Sequence, residues 1–276
     1  MDLRPYRLSA EQVRDGSLYL RYQPFVLSDD VQTGVAWSWL HGEDGGRTGT
    51  TGDWVCDRRA DTPARWAAFA DANARLRAMY DDWLDAIAAH SPGGSLLDVG
   101  SNDGYFPVGA ELRGMRGCAG YDNPGFGTAF RLLNGVVGTR ARFVGGMYDP
   151  VTHQIPGCRA GSYDVVSSSL VMCHLPDPLH FLAFLGRTAR RGVFLYTGMA
   201  DSDDYTVHYK EPNRFTPGVP FPHGFDNDTG LSRGLLYRSM EWMGFTEVVE
   251  VPRRATWLRG GVFEDNLKAL LFLRQG

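Results

Sequence analysis

Cysteine is scarce: the 276-residue chain has four, Cys56, Cys118, Cys158 and Cys173, and no two of them form a Cys-X-X-Cys pair. That argues against a disulfide framework or a structural zinc site and suits a reduced cytoplasm. Long apolar runs are missing too. No stretch approaches the roughly 18 consecutive apolar residues of a membrane span, and MDLRPYRLSAEQ lacks the basic-then-apolar order of a secretory signal. Positive charge is also in short supply. The formal net charge is -4, and RRA at 58–60 and ARR at 189–191 are only short basic patches, so a nucleic-acid backbone finds little electrostatic support. The 34 glycines follow no fixed period, which excludes a repeat array. What is present is ordinary for a folded enzyme-sized chain. With 43% hydrophobic and 22% charged residues, the length predicts one sizeable core with an appendage.

Residues 1–60 are the least regular. YLRYQPFVL (19–27) reads as a strand, SDDVQTG (28–34) as a turn, and VAWSWL (35–40) puts Trp37 and Trp39 on alternate positions of an extended segment. A glycine-rich loop, HGEDGGRTGTTGDW, follows. At 61–63, DTP is a helix start: Thr62 or Asp61 caps the first amides and Pro63 occupies the first turn. Trp66, Phe69, Asn73, Leu76, Tyr80, Trp83, Leu84 and Ile87 recur mostly at three- and four-residue spacing, predicting one long helix that SPGG (91–94) ends.

Beyond it the pattern alternates. SLLDVG (95–100), CAGYD (118–122), ARFVGGM (141–147), YDVVSSS (163–169) and RGVFLYT (191–197) read as strands, with helices around 105–113, 125–136 and 178–190. Such spacing builds βαβ units on a parallel sheet. LSRGLLYRSMEWMG (231–244) reads as a helix, and FTEVVEV (245–251) and LKALLFLR (267–274) as a closing antiparallel pair. The predicted fold class is α/β, a doubly wound, mainly parallel sheet with an antiparallel C-terminal strand and an N-terminal appendage. Residues 1–90 form the covering and helical segment. Residues 91–276 form the nucleotide-binding domain, with a substrate insertion at 200–230.

The sharpest motif is Leu96-Leu97-Asp98-Val99-Gly100-Ser101-Asn102-Asp103-Gly104-Tyr105-Phe106. A buried strand runs into a glycine turn, where Gly100 and Gly104 have no Cβ to block close approach of a ligand. Asp122 ends the next strand, placed to accept the hydroxyl hydrogens of a ribose. A dinucleotide site prefers Gly-X-Gly-X-X-Gly for its pyrophosphate. Here the spacing is Gly100-X-X-X-Gly104 with Asp98 just before it, and a carboxylate there suits a cationic amino acid better than a pyrophosphate. S-adenosylmethionine (SAM) carries a sulfonium, an α-amino group and a ribose but no phosphate, and it is the cofactor this spacing favours.

LLDVGSNDGYF, GYDN (120–123) and YDVVSSSLVMCHLPDPLHFL (163–182) resemble class I SAM-dependent methyltransferases, in particular the tRNA wobble-uridine carboxymethyltransferase branch and its small-molecule relatives. The resemblance covers approximately residues 95–200 and implies a Rossmann-like SAM-binding domain. It implies that Asp98 and Gly100 face the methionine part, that Gly104 shapes the same loop, that Asp122 holds the ribose and that Met147 and Tyr148 lie near the adenine. Ser168 and Ser169 would sit at the strand edge where open sheets bind ligands. Asn102 and Asp103 add polar bulk near the methionine end. The weak basic surface makes a nucleic-acid substrate an unfavoured expectation.

Methyl transfer needs alignment more than a metal or a nucleophile, but a hydroxyl or ammonium acceptor needs a base. His174, just after the fourth strand, is the first candidate, with His208 and His223 beside it. No compact cysteine–histidine set accompanies these histidines, so no metal is expected. The stretch Asp203–Phe215 offers Tyr205 and Tyr209 as amphipathic rings and Arg214 as a clamp for a carboxylate. Trp37 and Trp39 are candidates to cover the cofactor. Three readings remain open: a methyltransferase acting on oxygen or nitrogen of a small metabolite; a lyase in which SAM's own amino group closes a ring and releases methylthioadenosine; and a non-enzymatic SAM sensor. No oligomeric partner is specified by the sequence.

Overall fold

The computed structural model describes residues 1–34, 54–146, 155, 158–209, 214–215, 225–226, 229–252 and 267–275, with backbone only for 214–215 and 225–226. Trp37, Trp39, Met147, Tyr148 and His223, and the predicted extended segment 35–40, lie outside the described residues.

A helix that the sequence reading does not place precedes the expected 19–27 strand. Ser9 accepts from the Gln12 amide while the Gln12 side chain accepts from the Ser9 amide, a capping box that starts α1 (Ala10–Tyr19). Only the end of the expected 19–27 strand is extended, as β1 (Phe25–Val26). The expected turn at 28–34 contains a strand as well, β2 (Val31–Thr33), which pairs with β1 and with β3 (Val55–Asp57) in a small antiparallel sheet.

The long helix is α2 (Pro63–His90), capped by the Thr62 hydroxyl on the Arg65 amide. The main sheet follows: β4 (Leu96–Val99), α3 (Tyr105–Leu112), β5 (Ala119–Asp122), α4 (Gly127–Val137), β6 (Arg142–Gly145), β7 (Tyr163–Ser169), α5 (Pro178–Thr188) and β8 (Ala189–Ala200). Next come β9 (Val207–Tyr209), β10 (Arg214–Phe215), β11 (Phe225–Asp226), β12 (Thr229–Ser232), α6 (Arg233–Trp242), β13 (Phe245–Val251) and β14 (Leu267–Arg274).

The spatial order is β13-β14-β8-β7-β4-β5-β6, parallel from β8 to β6 and antiparallel at β14 and β13. Alternation along each strand sends side chains to opposite faces. Leu96 and Phe194 join one buried cluster with α2, α3 and α4, whereas Leu97 and Leu195 join the other with α5 and α6. Two apolar faces, each covered by helices, make the sheet doubly wound. On the first face Trp83 of α2 is fully buried and its ring lies 4.5 Å from that of Tyr196 and 5.4 Å from that of Phe194.

The expected helix at 231–244 starts later than its pattern suggests. Ser232 caps it at the Leu235 amide, and Thr229–Ser232 before it is extended as β12, parallel to the end of β8 and antiparallel to β9. Among the described residues no helix is long and apolar enough to cross a membrane.

Candidate functional site

The chain leaves β4 toward β5 on one side and reaches β7 on the other, so the winding direction reverses at β4. Ligands of open α/β sheets bind outside the carboxyl ends of the strands at such a point. A cleft of about 370 Å³ lies there, lined by Tyr22, Gln23, Tyr80, Asp98, Gly100, Asn102, Phe106, Asp122, Ser169, Leu170, Val171 and His174.

The floor is the loop after β4. The amides of Gly100 and Ser101 both donate to the Tyr121 carbonyl at 2.9 and 3.1 Å, which folds the loop across the end of β5. Gly100 (φ 83°) and Gly104 (φ 93°) are left-handed, and Asn102 shares that region at φ 47°. Packing by itself demands glycine at 100 and 104. A Cβ on Gly100 would lie 2.2 Å from Val171 Cγ2, and one on Gly104 would lie 2.5 Å from the Phe130 ring, so backbone sign and packing set both positions.

Asp98 is 3% exposed and its Oδ1 accepts from the Ser167 hydroxyl at 2.6 Å. Burial pushes its carboxyl up to about 7, with Asp122 adding to the rise and the Ser167 hydrogen bond opposing it. Asp122 accepts from the Asn102 amide (2.7 Å) and the Asn123 amide (2.6 Å), and burial raises it above the usual carboxylate range. The two acids thus set carboxyl groups at the ends of β4 and β5 in one cleft.

His174 ends the short 3₁₀ turn Met172–His174, in the same cleft. That turn is pinned from outside: the buried Thr229 hydroxyl lies 3.1 Å from the Met172 carbonyl and 2.9 Å from that of Leu175. Ser169 lines the cleft, whereas Ser168 is buried with its hydroxyl on the Val99 carbonyl at 3.0 Å, tying β7 to β4.

The other predicted residues are elsewhere. Tyr205 is 63% exposed and lines a separate groove with Asp203, Tyr237 and Arg238, its ring 6.4 Å from that of Trp242. His208 Nε2 pairs with the Thr206 hydroxyl at 2.8 Å, on the exposed strand β9. Tyr209 is also exposed but its hydroxyl reaches the Pro176 carbonyl at 3.1 Å, just beyond the His174 turn. Arg214 is in β10. Asp103 is fully buried, and its Oδ2 accepts from the Tyr22 amide of the N-terminal segment.

Sequence reasoning missed Tyr22, Gln23, Phe106, Leu170 and Val171, and read Tyr80 as one more core position. Leu170 does carry a local mark, a positive φ of 55°, but nothing in its residue type announces that. Among the described residues no group of three or more His, Cys, Asp or Glu could hold a metal ion.

The residues fit a ligand with positive charge at one end and vicinal hydroxyls further along. Burial raises the Asp98 carboxyl next to the cleft; an ammonium or sulfonium there would favour its charged form, and a pyrophosphate would disfavour it further. No curated protein matches the chain by sequence. Among solved structures, the N-terminal domain of EvdMO1 crystallised with SAH and D-fucose is 16% identical with TM-score 0.51, covering 71% of this chain and 83% of that one. The same domain with SAH bound is 19% identical at TM-score 0.51, covering 71% and 81%. The 1,6-didemethyltoxoflavin-N1-methyltransferase of Burkholderia thailandensis is 14% identical with TM-score 0.48 over 92% of this chain and 100% of that one. The first two share the fold. A family model described as a methyltransferase domain matches residues 72–243, which is more than half of the sequence and spans β4 to α6. The chain belongs to this methyltransferase domain family and is a SAM-dependent enzyme.

Proposed function

We propose that the cleft at the ends of β4, β5 and β7 holds SAM, and that the enzyme methylates an oxygen or nitrogen of a small metabolite. The observation that carries this reading is the buried Asp98 carboxylate opening on the cleft, with Asp122 at the neighbouring strand end. Bound there, SAM supplies a methyl group on a cationic sulfur. Asp98 meets the positive charge of the methionine part, and Asp122 accepts hydrogens from the ribose hydroxyls while its oxygens stay fixed by the Asn102 and Asn123 amides. His174 takes the proton from the acceptor onto an imidazole nitrogen as the new bond forms, held in place by the turn that Thr229 pins.

The cleft's size and the net charge of -4 support a small acceptor over RNA, so the resemblance is read toward the small-molecule relatives. Residues 1–90 serve as the covering segment and 91–276 as the catalytic domain, in a reduced cytoplasm. Trp37, Trp39, Met147, Tyr148, Arg214 and His223 stay in the proposal as cofactor- or acceptor-facing candidates from their sequence positions alone.

Incubation with methyl-labelled SAM tests the reaction. Without acceptor the donor should persist, and with a panel of small hydroxyl and amine compounds label should move to one of them with S-adenosylhomocysteine (SAH) formed. Release of methylthioadenosine from SAM alone would replace this reading with the ring-closing lyase.

A further inference from the structure

The family match begins at residue 72, yet two residues lining the cleft, Tyr22 and Gln23, precede it by some fifty positions. Something must fasten them. Asp103 is 0% exposed, and its Oδ2 accepts from the Tyr22 amide at 2.7 Å. Burial pushes its carboxyl up to about 7, with the Tyr22, Gln23 and Arg21 amides opposing that rise. The Tyr22 amide thus anchors the N-terminal segment on Asp103 Oδ2, inside the glycine loop.

A second tie runs beside the first. The Gln23 side-chain oxygen accepts from the Tyr105 amide at 2.9 Å, at the start of α3, where Gly104 has no side chain to cap the helix. The Tyr22 ring then meets Phe126, which follows Asp122 by four residues, edge-on at 5.2 Å, and Trp54 at 4.9 Å. Tyr22 is nonetheless 46% exposed, so it keeps free surface beside the cleft.

We propose that Asp103 is a positioning residue that clamps segment 21–23 onto the glycine loop, making Tyr22 and Gln23 a wall of the cofactor cleft. The loop that receives the cofactor therefore also recruits the chain segment that closes around it. A carboxylate at 103 serves the N-terminal segment, while Asp98 and Asp122 serve the ligand. This inference rests on the reading of the cleft as the SAM site.

The experiment compares SAH binding by calorimetry with amide hydrogen exchange of segment 21–23 in the full chain. In the unmodified protein SAH should slow exchange across 21–23. Asp103→Ala should speed that exchange and weaken SAH by about tenfold or more, since it strips acceptors from buried amides. Asp103→Asn keeps an oxygen for the Tyr22 amide and should restore the docked segment with SAH affinity within about threefold. Gln23→Ala, which leaves Asp103 intact, should weaken SAH while preserving the fold, and it decides the matter if Asp103→Ala does not fold. Wild-type SAH affinity in folded Gln23→Ala together with either Asp103→Ala or unaltered 21–23 exchange on SAH addition overturns the proposal. Asp122→Ala separates the two levels. If it loses SAH while the Asp103 and Gln23 variants do not, the cleft stands and the clamp falls; if the unmodified protein binds no SAH, the cofactor site itself is misplaced.

Discussion

Asp98→Asn should make the protein more stable above neutral pH and, in the same stroke, a poorer binder of SAM. The folded carboxyl is pushed up to about 7 from its ordinary value of 3.8, chiefly by burial. Between those two values the folded state holds a proton that the unfolded state has released. Stability is therefore full below the lower value and is lost as pH rises toward the upper one. Roughly three pH units at about 1.36 kcal/mol each give about 4 kcal/mol for this one group. Asp103 is pushed to about 7 by the same cause and Asp122 is raised as well, so three carboxyls contribute to the slope and Asn at 98 should remove one of them. The Ser167 hydroxyl can still donate to the amide oxygen of asparagine, so the fold keeps that tie. Binding moves the other way. The cationic end of SAM loses its charge partner, a loss of about 1.5–3 kcal/mol, or roughly ten- to a hundredfold in Kd. Calorimetric unfolding from pH 5 to pH 8 and SAH or SAM titration at pH 8 read both effects. An unchanged pH slope, or a variant less stable than the parent at pH 8 with unaltered affinity, would refute the placement of a buried, ligand-facing carboxylate at this strand end.

Asp122→Ala should weaken SAH and SAM by about 1.5–3 kcal/mol in a folded variant, checked by calorimetry, because it removes the acceptors at the end of β5. His174→Ala should lower turnover far more than SAM affinity, a split that steady-state rates paired with binding would reveal; equal losses in both would make the imidazole a binding group. Gly104→Ala should destabilise by about 2–4 kcal/mol in urea unfolding, since φ is 93° and the new Cβ would lie 2.5 Å from Phe130.

The parts of the fold that could be read from the residues are those whose cause is local. The strand β4 is apolar and stops at Gly100, α2 begins at a threonine followed by proline, and the final pair is rich enough in β-branched and apolar residues to place β13 and β14. Where the cause is not apolar periodicity, the reading went astray. Helix α1 buries only Gly16, so its apolar pattern is faint, and the sequence reading places no element before the run at 19–27. β12 looked like the first turn of α6 because Leu231 falls in register with the helix; only its pairing with β8 and β9 makes it extended.

The same division runs through the site. Asp98, Gly100 and Asp122 belong to a strand–turn–helix unit and a strand end, so the sequence alone sets their neighbours. Tyr80 is legible only as a helix-face aromatic: its spacing from Leu76 and Trp83 is that of a core stripe, and the sheet beside it decides that one edge opens on the cleft. Tyr22 and Gln23 carry no signature at all, because what puts them there is an acid at position 103, some eighty residues on. A carboxylate in a glycine loop has two physical outlets, toward the ligand or toward the chain's own amides. In this loop the residues divide the work, Asp98 before the turn facing the cleft and Asp103 within it facing the N-terminal segment. An acidic loop of this kind cannot seat a pyrophosphate without stacking like charges in a dry site, but it can bind a cation and hold its own cover in place.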